Sequence, residues 1–92
     1  MILNFRHRGL RRLYEKDDPR GVNPDHVDKL RNILARLDVA PGPEDMDLPG
    51  FRLHPLRGDR SGTWAVTVRA NWRVTFRFAG EAVAEVTYED YH

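Results

Sequence analysis

Residues 64–78 read WAVTVRANWRVTFRF, and this stretch decides the fold. Apolar side chains occupy every second position on both sides of a short central turn, a pattern typical of two half-buried β-strands. A two-residue loop would set Val68 opposite Arg73 and mix core with charge, so we expect a three-residue loop centred on Asn71. That loop pairs Arg69 with Arg73. Because like charges then face each other, the pairing predicts a bound anion.

Two further strands flank this hairpin. The alternation of residues 51–54 predicts a short strand before it. Residues 82–88 predict a last strand with Ala84, Val86 and Tyr88 on its buried side. Continued toward the end of the chain, this strand carries Tyr91 onto the polar side.

The N-terminal half carries two helical patterns. Leucine and tyrosine side chains recur at helical spacing and predict a helix over residues 9–16. Asn23 and Pro24 are typical of an N-cap followed by proline at the first helical position, and they predict a second helix ending before Pro41. Both apolar stripes need one face of the sheet to cover. We therefore predict a single α+β domain over residues 1–92, with two N-terminal helices packed on one face of a twisted, mainly antiparallel four-stranded sheet.

The composition excludes several classes of protein. The chain has 92 residues and no cysteine. Disulfides, thiolate nucleophiles and zinc–thiolate centres are therefore excluded, and packing alone must hold the core. No N-terminal apolar run has the length of a signal peptide, and no later segment approaches a membrane span. We expect a cytoplasmic protein without a membrane partner.

The net charge of +1 hides a segregated distribution. Residues 52–77 contain six arginines and one aspartate, a balance of +5, whereas residues 78–92 contain four carboxylates and no lysine or arginine, a balance of −4. Such neighbouring segments suit a polyanion site beside acid/base groups, although ordinary charge mixing gives the same pattern. Thirteen of the fifteen basic residues are arginine, which binds phosphate through a planar fork of donors; genome base composition produces the same bias.

The face of the sheet that the helices leave bare is predicted to be basic and lined with hydroxyl groups. Its expected members are Arg52, His54, Thr67, Arg69, Arg73, Thr75, Arg77, Thr87 and Tyr91. Arginines bind phosphate, and imidazoles such as His54 and His92 transfer protons near neutrality. This combination favours cleavage of RNA, whose 2′-hydroxyl is a built-in nucleophile, without a metal ion or cofactor. In this hypothesis Arg52, Arg69 and Arg77 bind the RNA.

Each of these residues also has a plainer interpretation. A lone histidine on a polar strand face is more often merely exposed, and we place His7 and His26 at the surface. His54, Asp90 and His92 are of the types that bind Zn²⁺, but their spacing is not diagnostic of a zinc site. We therefore expect no bound metal.

Four motifs, in order along the chain, carry a family resemblance. They are FRHRGL at 5–10 leading to LYE at 13–15, LHPLRGDR at 53–60, VRANWRVTF at 68–76 and YEDYH at 88–92. Together they closely resemble the HigB toxins, which are RelE-superfamily killer proteins of bacterial toxin–antitoxin modules. The resemblance implies two helices on a twisted antiparallel sheet, and a protein that enters the ribosomal A site and cuts the mRNA there.

The same resemblance implies roles for individual residues. The implied active-site residues are His54, Arg73, Asp90, Tyr91 and His92. Arg69 is implied to contact RNA. Where the family pattern has a lysine after His-Pro-Leu, this chain has Arg57. Because arginine stays protonated, Arg57 is expected to neutralise phosphate but is a poor proton donor.

The implied partners are a small helix-turn-helix antitoxin, similar to HigA, and the 70S ribosome with its mRNA. The toxin is expected to reach operator DNA only through the antitoxin. We thus predict a ribosome-dependent, metal-independent mRNA endoribonuclease. Two alternatives stay open. One is a toxin of the same fold class that inhibits DNA gyrase by protein contact, for which the histidine and aspartate side chains are superfluous. The other is an RNA-binding module without catalysis.

Overall fold

The computed structural model describes residues 1–91, and the role expected of His92 lies outside these residues. Its elements are α1 (Arg8–Lys16), α2 (Val27–Val39), β1 (His54–Pro55), β2 (Trp64–Arg69), β3 (Trp72–Ala79) and β4 (Ala82–Asp90). The strands form one antiparallel sheet in the order β1-β2-β3-β4. The N-terminal segment adds two parallel bridges to β4, at Ile2 and Phe5. The predicted α+β architecture is confirmed.

Capping side chains set where the helices begin. His7 accepts a hydrogen bond from the Leu10 N–H at the start of α1, so an imidazole serves as the N-cap. Asn23 accepts from the Asp25 N–H, as the Asn23-Pro24 signal predicts. The chain first makes a 3₁₀ turn over Pro24–His26, and α2 begins only at Val27.

The core lies between the helices and one face of the sheet. Helix α2 buries Leu30, Ile33, Leu34 and Leu37. The sheet contributes the buried side chains of Val66, Val74, Phe76, Val83 and Val86. Burial of each such side chain contributes about 1.5–3 kcal/mol, and placing them all on one face leaves the opposite face open.

The predicted strand over 51–54 is wrong in its extent, because β1 contains only His54 and Pro55. Arg52 has a φ of 51°, which interrupts the extended backbone. Phe51 before it is buried in the core, and its carbonyl accepts a hydrogen bond from the Thr67 N–H. The segment is therefore anchored to β2 although it is not a regular strand.

The predicted hairpin register is also wrong. Two residues, Ala70 and Asn71, separate the strands, and Arg69 pairs with Trp72 while Thr67 pairs with Arg73. The register shifts between Thr67 and Arg69, which is a β-bulge containing the additional residue at position 68. Arg69 consequently lies on the side of Trp72 instead of opposite Arg73. The expected repulsion between two arginines, and the anion inferred from it, are not features of this hairpin.

A second bulge lies in β4, where the register shifts opposite Thr75 and Arg77. Glu85 has a φ of 55° at this point, and the alternation of the strand is offset by one residue. Val83 and Val86 are therefore fully buried, whereas Ala84, which we expected on the buried side, is only half-buried.

Candidate active site

The open face of the sheet carries two neighbouring rows of side chains. One row contains His54, Ala65, Thr75 and Thr87, and the next contains Thr67, Arg73 and Glu89. His54 and Arg73 therefore share a face, with Cα atoms about 12 Å apart by the spacing of regular strands. Side chains that extend toward each other across this distance are able to contact one phosphodiester group from two sides.

A backbone carbonyl orients the imidazole of His54. Its Nδ1 lies 2.8 Å from the carbonyl oxygen of Arg52. Because a carbonyl only accepts hydrogen bonds, Nδ1 must carry a proton, and in the neutral ring Nε2 is then left with its lone pair. The carbonyl reaches His54 from a residue with a φ of 51°, a conformation that costs energy in a residue other than glycine. The neutral imidazole of His54 thus presents its Nε2 lone pair as a hydrogen-bond acceptor.

Arg73 is held by a carboxylate on the adjacent strand. Its Nε and Nη2 lie 2.9 and 2.7 Å from the same oxygen, Oε2, of Glu89. Arg60 binds Glu89 from the other side, with Nη1 2.8 Å from Oε2 and Nη2 3.1 Å from Oε1, and it also donates to Thr75 Oγ1. The hydrogen bond from Arg60, followed by that from Arg73, lowers the pKa of the Glu89 carboxyl, while burial opposes them. Glu89 therefore stays ionised.

The chain end places one aromatic ring beside this cluster. The Tyr91 ring lies over the guanidinium of Arg73, with the ring centroid 4.3 Å from Cζ, and its backbone N–H donates to the Asn71 carbonyl. Asp90 pairs with Trp72, whereas Glu89 pairs with Arg73. Tyr91 thus reaches the open face as expected, while the backbone register directs Asp90 toward the opposite face.

Comparison with known proteins is consistent with these features. The family described as "RelE-like toxin of type II toxin-antitoxin system HigB" matches residues 3–92. This chain belongs to the HigB-like toxin family. The curated protein "Endoribonuclease HigB" of Proteus vulgaris is 44% identical over 92 residues, which cover all of both chains. The family expected from the four motifs is confirmed.

In this HigB-like toxin the segregated charge of the sequence is largely neutralised within the sheet. Glu89 pairs with Arg60 and Arg73, and Glu85 lies 3.4 Å from Arg77 and 3.9 Å from Arg6. The acidic segment at the end of the chain therefore neutralises the arginines beside it. The segment charges correctly predict that the two groups adjoin, but not that they pair.

The other arginines predicted to bind RNA differ in their surroundings. Arg77 donates to the Ser61 carbonyl and the Thr63 hydroxyl, so its position is fixed. Arg52 and Arg57 are exposed and form no ion pair within residues 1–91. Arg69 is also exposed but lies on the side of the sheet that faces the helices, because of the bulge. The structure therefore brings Arg73 and Arg77 together with His54 on the open face, and it separates Arg69 from them.

Glu89 and Arg60 belong to this cluster although the sequence patterns do not identify them, and the positions predicted for two histidines are wrong. Glu89 and Arg60 lie inside the family motifs, but only the cross-strand register shows that they meet. His26 is 4% exposed, and its Nδ1 lies 2.6 Å from the Tyr88 hydroxyl. Burial, and then the charge of Arg69, lower its pKa, against a smaller opposing effect of a nearby aspartate.

His7 is half-buried, and burial lowers its pKa as well. Its ring contacts the Tyr88 ring edge-on, with centroids 5.2 Å apart. The Trp72 ring contacts both Tyr88 and His26. The expected surface position of His7 and His26 is therefore wrong. Both imidazoles belong to an aromatic cluster between the helices and the sheet.

Within residues 1–91, no three His, Asp or Glu side chains are grouped as a metal ion requires. No helix in that part of the chain is long and apolar enough to cross a membrane.

Proposed function

We propose that this toxin is an endoribonuclease that cuts translated mRNA in the ribosomal A site, without a metal ion or cofactor. The observation that carries the proposal is the geometry of the open face. An imidazole fixed by a backbone carbonyl, His54, shares that face with a guanidinium, Arg73, which is fixed by a carboxylate and covered by a phenol. The printed name of the Proteus vulgaris relative, "Endoribonuclease HigB", supports the same chemistry.

In the proposed reaction His54 acts as the general base. Its Nε2 takes the proton of the 2′-hydroxyl, and the 2′-oxygen forms a bond to phosphorus. The bond between phosphorus and the 5′-oxygen breaks, and His92 gives a proton to the leaving oxygen. The products are a 2′,3′-cyclic phosphate and a free 5′-hydroxyl. The hydrogen bond from Nδ1 to the Arg52 carbonyl supports the assignment of His54 as base.

The remaining site residues stabilise charge and position the groups that react. Arg73 and Arg57 are proposed to stabilise the phosphorane, which carries more negative charge than the substrate. Tyr91 donates a hydrogen bond to phosphate. Because the register of β4 directs Asp90 away from the face that carries His54, Asp90 is proposed to orient or charge His92. Arg52, Arg69 and Arg77 are proposed to bind the RNA. Arg69 lies on the side of the sheet that faces the helices. RNA bound on the open face therefore has to pass over the end of the β2–β3 hairpin to contact Arg69.

The partners follow from membership of the family. HigB toxins pair with an antitoxin in their modules. We propose a HigA-like helix-turn-helix antitoxin that also binds the operator, so that the toxin contacts DNA only through it. The 70S ribosome and its mRNA are the proposed targets, in the cytoplasm.

Expression of the toxin without an antitoxin tests this function. We expect growth arrest, and primer extension on cellular mRNA is expected to show cuts confined to translated regions. A start codon mutation in one reporter transcript serves as the control and is expected to remove the cuts from that transcript. Intact transcripts together with cleaved DNA would refute the proposal and favour inhibition of gyrase.

A further inference from the structure

The cluster formed by Arg60, Glu89 and Arg73, here called the arginine clamp, contains a carboxylate where RNA is proposed to bind. A negative charge beside a phosphate site weakens attraction for the ligand, so its presence needs a reason. We propose that the arginine clamp is a preformed binding site for one RNA phosphate, in which Glu89 is a positioning residue and Arg60 supplies a second guanidinium. This inference rests on the proposed function.

The geometry leaves donors available on both guanidinium groups. Glu89 occupies Nε and Nη2 of Arg73, and within residues 1–91 no hydrogen bond occupies Nη1 of that side chain. Arg60 binds Glu89 and Thr75 through its two Nη atoms, which leaves its Nε–H unused by the described residues. Since a guanidinium has five donors in a plane, each arginine is able to bind the carboxylate and a phosphate at the same time.

The contacts also remove freedom from Arg73. Its side chain is 12% exposed, Glu89 binds both its Nε and Nη2, and its Cζ lies over the Tyr91 ring, 4.3 Å from the ring centroid. An unrestrained arginine loses much side-chain entropy when it binds a ligand, whereas this one is already ordered. The Glu89 carboxylate therefore weakens the attraction of the site for phosphate but holds the Arg73 guanidinium in a fixed orientation.

The charge of the clamp agrees with this interpretation. Two arginines and one glutamate leave a net charge of +1, which is enough to attract a phosphodiester. The lowered pKa of Glu89 keeps the carboxyl ionised at neutral pH, which makes it a poor general base.

Glu89→Gln, with Glu81→Gln as control, tests the proposal. Both changes remove one negative charge, but Glu81 is exposed in the turn before β4 and forms no ion pair within residues 1–91. Single-turnover cleavage on programmed ribosomes is measured against toxin concentration. For Glu89→Gln we expect the maximal rate to fall at least about tenfold, with a half-saturating concentration equal to or below that of the wild type. The control is expected to match the wild type in both.

A purely structural role gives a different result. Partial unfolding lowers the concentration of active toxin, so the half-saturating concentration rises while the maximal rate is kept. Either that result or wild-type behaviour of Glu89→Gln would overturn the clamp.

Titration with inorganic phosphate separates the clamp from the proposed function, because it needs no catalysis. The Nε–Hε signals of Arg60 and Arg73 are followed by NMR in the wild-type protein. We expect the two signals to shift with the same dissociation constant for phosphate. In Glu89→Gln we expect the two signals no longer to give the same dissociation constant. If the wild type does not cleave mRNA but both signals shift together, the proposed function fails and the clamp stands. If neither signal shifts, the clamp is overturned.

Discussion

Replacement of Arg73 by alanine tests whether the open face is a reaction site or merely a stabilised surface. The sequence pattern places Arg73 on the bare face of the sheet, where truncation of a solvated side chain costs little stability. The structure corrects that premise, because the Arg73 side chain is 12% exposed and makes two short contacts with Glu89. Net contributions to stability from hydrogen bonds with charged groups are about 1.5–3 kcal/mol.

Arg60 continues to pair with Glu89 after the substitution, so the carboxylate is not left isolated. We therefore expect Arg73→Ala to lower the free energy of unfolding by about 2 kcal/mol, which corresponds to about 10 °C in Tm for a domain of this size. Activity is expected to fall much further, by about 10² to 10³ in single-turnover rate, as for loss of one preorganised donor at a developing charge.

The matched comparison is Leu34→Ala. Leu34 is buried in the helix stripe, and such truncations cost about 2–5 kcal/mol. The rate per folded molecule is expected to stay at the wild-type value, because Leu34 lies on the other side of the sheet. Thermal unfolding gives the stabilities, and cleavage on programmed ribosomes at a temperature where both variants are folded gives the rates. An Arg73→Ala protein that loses stability but keeps the wild-type rate per folded molecule would refute the reasoning.

Three other predictions concern the histidines and the packing of α1. Folding lowers the pKa values of His7 and His26, so below the unfolded value of 6.5 the unfolded chain binds more protons than the folded one. Urea unfolding is therefore expected to show lower stability at about pH 5.5 than at about pH 7.5. A free energy of unfolding that does not change between these pH values would contradict this. A Cβ at Gly9 would overlap the backbone oxygen of Gly21, so Gly9→Ala is expected to lower the free energy of unfolding by about 1–3 kcal/mol in the same assay. Wild-type stability of this variant would show that α1 shifts freely. His54→Ala is expected to slow cleavage by about 10² to 10⁴ and to remove the acidic limb of the pH–rate profile, whereas retention of both the wild-type rate and the limb would exclude a base at this position.

Local signals in the sequence predicted most of the fold. Asn23 and Pro24 marked the approach to α2 because a cap and a fixed φ act within a few residues. The alternation of residues 72–78 identified β3 because one face is buried against the helices. In both cases the determining interaction is short in sequence or regular in period.

The errors arose where the backbone departs from its period. The β2 bulge lies between Thr67 and Arg69, and the β4 bulge contains Glu85. Neither Ala70, in the hairpin loop, nor Glu85 is a residue whose type signals a positive φ. Each bulge offsets the side chains beyond it, which moved Arg69 to the other side of the sheet. The pairing of Glu89 with Arg60 joins residues far apart in sequence, so no local pattern predicts it.

Removal of the 2′-hydroxyl at the cut site shows which oxygen attacks the phosphorus. Programmed ribosomes are prepared with mRNA that carries a single 2′-deoxynucleotide at the site cut by the wild-type toxin, beside an otherwise identical all-ribose mRNA. We expect the ribose substrate to be cleaved to a 2′,3′-cyclic phosphate and the deoxy substrate to stay intact at that site, since only the 2′-oxygen attacks. Cleavage of the deoxy substrate at a comparable rate would contradict it, because the nucleophile would then come from water or from the protein.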